Sequence, residues 1–516
     1  MGRLGCTRSI VLTGLVAHAV TVEASVGVGL PGTEWTGLPD TAVRQSAPRV
    51  RSAVESAGEV WPAHKITVGL FPASVPKSGS HFDLAVAVAV LAAQGALDPS
   101  AVRDLVVLGE LGLDGRVHPV TGVLPAVIGA VRFGYCKVVV PRGNAAEAAL
   151  VPGVDITAVG SLGELCSRLR GEDTAAYDDA PVPLPVDDTP LDLADVIGQE
   201  EARHAIEIAA AGGHHVFLTG PPGVGKTMLA ERLPGLLPDL EGDDALEVTS
   251  IHSLLGRLAP GRPLLRRPPF CAPHHSATVA SLVGGGTGVP TPGTISLAHQ
   301  GVLFLDESPE FERRALDALR QPLESGHVTI HRAGGVATYP ARFQLVLAAN
   351  PCPCARGGKS TDAASCRCTS TQLRAYKNRI SGPLLDRIDL RARLTPVSRA
   401  VLAAGACGEP TATVRERVLE ARARAVRRLR GTPWTTNADV PGPDLRRNWP
   451  IPSDALVTLS ADLDKQRLST RGVDRVMKVA WTLADLAGRD VPHRDDVERA
   501  RALRIMGQSA DLARTA

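Results

Sequence analysis

Eight residues constrain this chain more than any others: Gly220-Pro221-Pro222-Gly223-Val224-Gly225-Lys226-Thr227. They match GxxxxGK[ST] in full, follow the apolar run His215–Thr219 and lead into the helical pattern Met228–Leu233. A strand, a glycine-rich turn and a helix start in that order form a phosphate cradle. Glycines let backbone N–H groups curl around the oxyanions with no Cβ in the way, and the helix N-terminus favours negative charge. The spacing assigns Lys226 to the β- and γ-phosphates of a nucleotide such as ATP and the Thr227 hydroxyl to Mg2+. Such a loop needs strands alternating with helices, so this region is expected to be α/β.

About eighty residues later comes Gly301-Val-Leu-Phe-Leu-Asp306-Glu307. An apolar strand ending in two acids suits the other half of the site: Asp306 holds Mg2+, directly or through water, and Glu307 polarises the attacking water. Alone this signal is weak, because strands often end in solvated acids; beside the loop it gains force. A third apolar run, Phe343–Ala349, ends in Asn350. A polar side chain at that strand tip is placed to align the same water, against the plainer role of a turn residue. Arg387, in Ser381-Gly-Pro-Leu-Leu-Asp-Arg387-Ile-Asp-Leu, suits an arginine that reaches a neighbouring subunit's γ-phosphate and offsets developing charge. A salt bridge with Asp386 or Asp389 is the alternative. Arg471 opens a later helical pattern and suits a phosphate contact, with Arg475 one turn on as the fallback.

Composition limits what such a site can serve. The 516 residues leave room for two to four domains, at roughly 100–200 residues each. Lys+Arg total 56 against 54 for Asp+Glu, so no global field selects a polyanion, and any such partner needs a local patch. Aromatics are only 3%, so the cores must rest on Ala, Val and Leu. Nothing reads as a membrane-spanning helix. The N-terminal apolar pattern alternates at period two through Val28, which is strand-like and unlike an export signal. Cys6, Cys136, Cys166, Cys271 and Cys407 are scattered, so no disulfide framework is expected and the compartment reads as cytoplasmic. Residues 1–170 mix strand-like and helical patterns; 171–190 are an acidic, proline-rich linker; 191–397 carry the nucleotide motifs; 398–516 are helical throughout.

Longer stretches make a resemblance specific. Asp195-Val-Ile-Gly-Gln-Glu-Glu-Ala-Arg-His, TGPPGVGKTMLAERL, Ala272-Pro-His-His-Ser-Ala, Leu282-Val-Gly-Gly-Gly, GTISLAHQGVLFLDE, LRQPLESG and ISGPLLDRIDL together resemble the magnesium-chelatase-like AAA+ ATPases of the YifB/ComM family. GLPDTAVRQSAPRVRSAV and VPKSGSHFDL resemble that family's Lon-protease-like (ribosomal S5-type) domain, so the likeness spans essentially the whole chain. It implies an AAA+ P-loop core with a helical lid, preceded by a Lon-like α/β domain. It implies ATP and Mg2+ as cofactors, Asn350 as sensor 1, Arg387 as arginine finger, Arg471 as sensor 2, and a homo-hexamer. The ComM branch further implies a helicase or branch-migration motor on single-stranded or branched DNA, serving recombination of incoming DNA in natural transformation.

Three other functions compete. The Lon-like domain could dock protein clients for a remodelling ATPase. A Lon-type protease needs Ser with a Lys base; Ser80 is available, but Val117–Val127 holds no lysine, and Lys77, three residues before Ser80, reads as a surface charge. A chelatase motor subunit is expected to share only the ATPase region. Two departures from the family pattern are Ser308, where Leu is expected, and the apolar stretch Gly69–Pro76.

Three further features bear on partners. His327–Arg342 reads as a β-hairpin whose tip residues His331 and Arg332 are placed to touch phosphates without sequence preference, or simply to be solvated. Arg415, Arg417, Arg422, Arg424, Arg427, Arg428 and Arg430 share one helical stretch and read as a solvated face paired with Glu416 and Glu420, with a DNA contact as the alternative. Cys352-Pro-Cys354 and Cys366-Arg-Cys368 are two CxC pairs eleven residues apart. They suit a structural Zn2+ held by four thiolates, with free thiols and a redox pair as alternatives.

Overall fold

The computed structural model describes residues 4–172, 191–259, 261–286, 288–332, 335–355, 366–398, 401 and 408–512. From residue 173 the expected linker lies outside them, as do the hairpin turn residues Ala333 and Gly334 and most of the stretch between the two CxC pairs.

The first sheet has seven strands: β1 (Leu4–Thr13), β2 (Val16–Gly27), β3 (Gly32–Thr36), β4 (Lys65–Phe71), β5 (Val106–Val107), β6 (Lys137–Pro141) and β7 (Asp155–Val159). Their order is β3-β4-β2-β1-β5-β6-β7. The period-two pattern at the N-terminus is the antiparallel β1–β2 pair, and Lys137–Pro141 is an interior strand. Three helices follow, α1 (Ser46–Ser56), α2 (Asp83–Gln94) and α3 (Val123–Arg132): α2 and α3 pack on the sheet, and α1 packs on α2. α2 alternates Ala with Val and Leu and is buried all round, so it carries no polar face. It lies close on β1: a Cβ on Gly5 would stand 2.0 Å from the Ala89 carbonyl oxygen.

The second unit is a five-stranded parallel sheet. Its elements are α4 (Glu200–Gly212), β8 (Val216–Thr219), α5 (Lys226–Leu236), α6 (Gly242–Leu254), β9 (Phe270–Cys271) and β10 (Val302–Leu305). Then come the hairpin β11 (His327–Arg332) and β12 (Gly335–Pro340), β13 (Gln344–Ala349), α7 (Ser370–Lys377) and β14 (Leu390–Arg393). The sheet order is β9-β10-β13-β8-β14, with every pairing parallel. Parallel strands buried on both faces read as continuous apolar runs, which is why VLFL and QLVLAA are legible in the sequence. Ligands in open α/β sheets bind at the carboxyl ends of the strands. There Thr219 pairs with Ala349, and Leu305 pairs with Leu347, so three chain segments leave the sheet side by side.

The remaining residues supply α8 (Thr411–Arg428), α9 (Thr470–Leu486) and α10 (Arg494–Leu512). Their apolar faces join the core of the parallel sheet: Val418, Val476, Ala480 and Val497 share one cluster with Ile206, Leu218 and Leu390. Asp389, buried at the start of β14, fastens the lid through Arg475 and receives the His215 N–H at 3.1 Å. Burial alone would raise its carboxyl, yet Arg475 and His214 hold it well below the usual range.

Candidate nucleotide site

The glycine-rich loop folds as its sequence demands. Gly223 and Gly225 adopt positive φ, at 76° and 95°, a region that side chains rarely enter. A Cβ on Gly220 would stand 2.7 Å from the Leu394 carbonyl oxygen. Lys226 opens α5, and its ammonium donates to the Gly220 carbonyl at 2.7 Å, the Pro221 carbonyl at 3.0 Å and Asn350 Oδ1 at 3.0 Å. Burial depresses its pKa, while Asp306 and Glu307 pull the other way. The Thr227 hydroxyl donates to Asp306 Oδ2 at 2.8 Å, and Asp306 Oδ1 accepts from the Glu307 N–H at 2.8 Å. Lys226, Thr227, Asp306, Glu307 and Asn350 therefore meet at one end of the sheet. The pairing of a hydroxyl with a carboxylate is the donor set a hard cation such as Mg2+ takes.

Contacts outside the sequence reading complete this corner. Ser308 is fully buried and donates to the Ala348 carbonyl at 2.8 Å, which ties the acidic strand end to β13; a leucine could not make that bond. The Asn350 backbone meets the Tyr376 hydroxyl, whose pKa burial pushes up to about 12. His275 Nδ1 lies 3.5 Å from Glu307 Oε2. These contacts join segments far apart in sequence, so spacing gave no signal for them.

The arginines divide. Arg387 is buried, with Nη1 on the Pro383 carbonyl at 2.6 Å and Nη2 on Glu324; its Nε has no partner. Neither Asp386 nor Asp389 takes it, so the alternative salt bridge is replaced by Glu324. Arg471 is exposed at the first turn of α9, whereas Arg475 is committed to Asp389.

Two surface readings need correction. Lys77 is no surface charge: it is fully buried, its ammonium on the Pro72 carbonyl. Ser80 instead donates to Glu110, so no Ser–Lys pair forms. The arginines of α8 do not depend on Glu416 and Glu420. Arg415 pairs with Asp239, Arg417 with Glu207 and Glu409, Arg424 with Asp490, and Arg422 donates to the Ala210 carbonyl. Arg428 forks onto Asp485. Arg415, Arg417, Arg422 and Arg428 thus tie the lid to the body of the protein or to itself, while Arg424 makes only an exposed contact.

The hairpin is present, with His331 and Arg332 exposed beside the turn and Val328 and Ile330 packed inward. The four cysteines of the CxC pairs converge, all their sulfurs within 4.8 Å of one another. Sγ separations of 3.3 Å for Cys352–Cys354 and 3.7 Å for Cys354–Cys366 and Cys352–Cys366 are close to a zinc tetrahedron. Zn–S bonds of about 2.3 Å give sulfur–sulfur edges of about 3.8 Å. The donor set fits a closed, four-thiolate ion.

Fold and site together define an AAA+ P-loop protein with a helical lid and an N-terminal Lon-like α/β domain. Family models for the magnesium chelatase subunit ChlI match residues 192–402, a ChlI region matches 22–144 and the ChlI C-terminal region matches 408–504. The chelatase likeness is therefore wider than the ATPase region to which the sequence reading confined it. An uncharacterised protein of Mycobacterium tuberculosis (strain ATCC 25618 / H37Rv) is 51% identical over 98% of this chain and 99% of its own length. YifB of Escherichia coli K12 is 41% identical over 96% and 95%. Competence protein ComM of Haemophilus influenzae is 41% identical over 96% of each. The chain belongs to the YifB/ComM family of magnesium-chelatase-like proteins. No helix among the described residues is long and apolar enough to cross a membrane.

Proposed function

We propose that this chain is an ATP-hydrolysing ring motor acting on DNA, a ComM-like helicase or branch-migration factor in recombination of incoming DNA. One observation carries the reading: a complete nucleotide corner sits in a chain similar end to end to a protein named for competence. The exposed hairpin tip, between the acidic strand end and Asn350 in sequence, supplies cationic contacts that suit phosphates.

Mg2+ would be held by Thr227 and Asp306, and it would neutralise charge on the transferred phosphoryl group. Lys226 turns from its loop carbonyls to the β- and γ-phosphates, Glu307 polarises the attacking water and Asn350 aligns it. Arg387 acts across the interface of a homo-hexamer, and Arg471 touches phosphate from the lid. A structural Zn2+ on Cys352, Cys354, Cys366 and Cys368 would act as a staple, since four protein ligands leave no open position. The compartment is the cytoplasm.

The test is ATPase rate with and without single-stranded and forked DNA, for the parent protein and Lys226→Ala. Stimulation by DNA, with both rates lost in Lys226→Ala, is expected. Hydrolysis indifferent to every DNA form would overturn the DNA reading in favour of a protein client docked on the Lon-like domain.

A further inference from the structure

We infer that Glu324 is a positioning residue that withholds Arg387 from the neighbouring subunit until DNA engages the hairpin. The inference rests on reading Arg387 as the arginine finger and the hairpin tip as a DNA contact. An arginine that serves a neighbour's phosphate must project from its own subunit, yet the Arg387 side chain is only 9% exposed. Its guanidinium is turned back onto its own chain, Nη1 on the Pro383 carbonyl at 2.6 Å and Nη2 on the Glu324 carboxylate. The buried Nε has no acceptor, and a buried donor left without a partner costs free energy. The pose is therefore incomplete, and a phosphate outside it can compete for the guanidinium. Of its two acceptors, the Pro383 carbonyl lies in the same turn as Arg387 and moves with it. Glu324 comes from a distant segment.

That segment is the base of the hairpin. Glu324 lies in the helical turn Pro322–Ser325, which runs straight into β11. The Gly326 N–H donates to the Pro322 carbonyl at 2.8 Å, the Ala341 N–H to the Gly326 carbonyl at 2.8 Å and the Ser325 hydroxyl to the His327 carbonyl at 2.9 Å. Gly326 makes the corner at φ 71°, and a Cβ there would stand 3.0 Å from Arg342 Cγ. Turn and hairpin thus form one piece, so a load on His331 and Arg332 is felt at Glu324. The Arg387 backbone has no such freedom. Leu384 and Ile388 are fully buried, and the Ser381 hydroxyl donates to Asp317 at 2.7 Å. The guanidinium leaves by side-chain rotation alone, once the Glu324 carboxylate is displaced. The Glu324 side chain is 61% exposed, so water screens the pair and the hold is weak enough to break when DNA loads.

ATPase of the full chain, with and without forked DNA, tests this on the parent, Glu324→Ala, Arg387→Ala and the double variant. Without DNA, Glu324→Ala is expected to raise kcat about two- to fivefold at unchanged KM for ATP, the scale of one screened ion pair. Its stimulation by DNA is expected to shrink by the same factor. Adding Arg387→Ala is expected to abolish the rise, because the release then has no finger to act through. No rise in Glu324→Ala, a rise that persists in the double variant, or stimulation as large as the parent's would overturn the inference with both underlying readings standing. Those readings fail by other signs: Arg387→Ala at the parental rate removes the finger, and a parent indifferent to DNA removes the trigger. Either result overturns the inference from below.

Discussion

Arg428 shows how much of this molecule rests on single side chains. Its guanidinium forks onto the buried Asp485 at 2.5 and 2.6 Å, donates to Asn437 at 2.7 Å and lies over the Trp481 ring at 4.3 Å. Removing one partner of a buried, hydrogen-bonded ion pair leaves the other charge without compensation, at a cost of about 3–5 kcal/mol. Arg428→Ala is therefore expected to destabilise the lid on that scale, read as a lowered denaturation midpoint. Arg424, which faces the fully solvated Asp490 at 3.6 Å, is the contrast: Arg424→Ala should cost no more than about 1 kcal/mol. In the sequence the two arginines look alike, because spacing along a helix records the face and not what packs on it. The nucleotide corner was legible for the opposite reason. The chemistry of Lys226 and Thr227 is local, and the apolar runs before Asp306 and Asn350 mark buried strands whose ends must line up. His275 and Tyr376 reach the same corner from other segments, and no local pattern encodes such reach.

At the level of elements, the segment from Asn350 to α7 is the most telling. The chain leaves β13 at Asn350, passes both CxC pairs and returns through α7, where the Tyr376 hydroxyl meets the Asn350 backbone. α7 opens on a full capping box, the Thr369 hydroxyl accepting from the Gln372 N–H and the Gln372 side chain accepting from the Thr369 N–H. The segment thus starts and ends at Asn350, the residue proposed to align water, and the four thiols sit between. A metal there would fix that residue without touching the nucleotide. Purified protein is expected to carry one Zn2+ per chain by elemental analysis, and Cys352→Ser with Cys366→Ser is expected to carry none. Loosening Asn350 should lower kcat by about tenfold or more, since small displacements of an aligning group cost this much. Nucleotide affinity, held by the loop and Lys226, should stay put. Metal-free parental protein with full ATPase would show that the thiols have no such role.

At the scale of the whole molecule, the N-terminal domain is gripped by the AAA+ core. The Gly122 N–H donates to the Ser253 carbonyl at 3.0 Å, and the Ser253 hydroxyl donates to Glu147 at 2.7 Å. Leu246, also on α6, packs into the cluster of Val127 and Leu124. The β1–β2 turn reaches further: a Cβ on Gly14 would stand 3.3 Å from that of Ala337, and Leu15 packs against the cluster that holds Val328, Ile330 and Tyr339. The Lon-like domain therefore leans on both α6 and the back of the hairpin, whose front carries His331 and Arg332. Contacts between residues some three hundred positions apart leave no trace in spacing, so the sequence reading treated the domain as a separate module. Interfaces of this kind hold only while their apolar centre is intact. Leu254 sits at that centre, between Gly122 and the hairpin cluster, and Leu254→Asp places a charge there with no partner. Calorimetry of this variant should show the N-terminal domain melting separately and earlier. The AAA+ core should keep its own transition, still raised by nucleotide, because a ligand stabilises only the part that binds it. If hairpin and domain act together, DNA-stimulated hydrolysis should fall in Leu254→Asp while basal hydrolysis survives. An unchanged melting profile with unchanged stimulation would mean that the contact carries neither stability nor coupling.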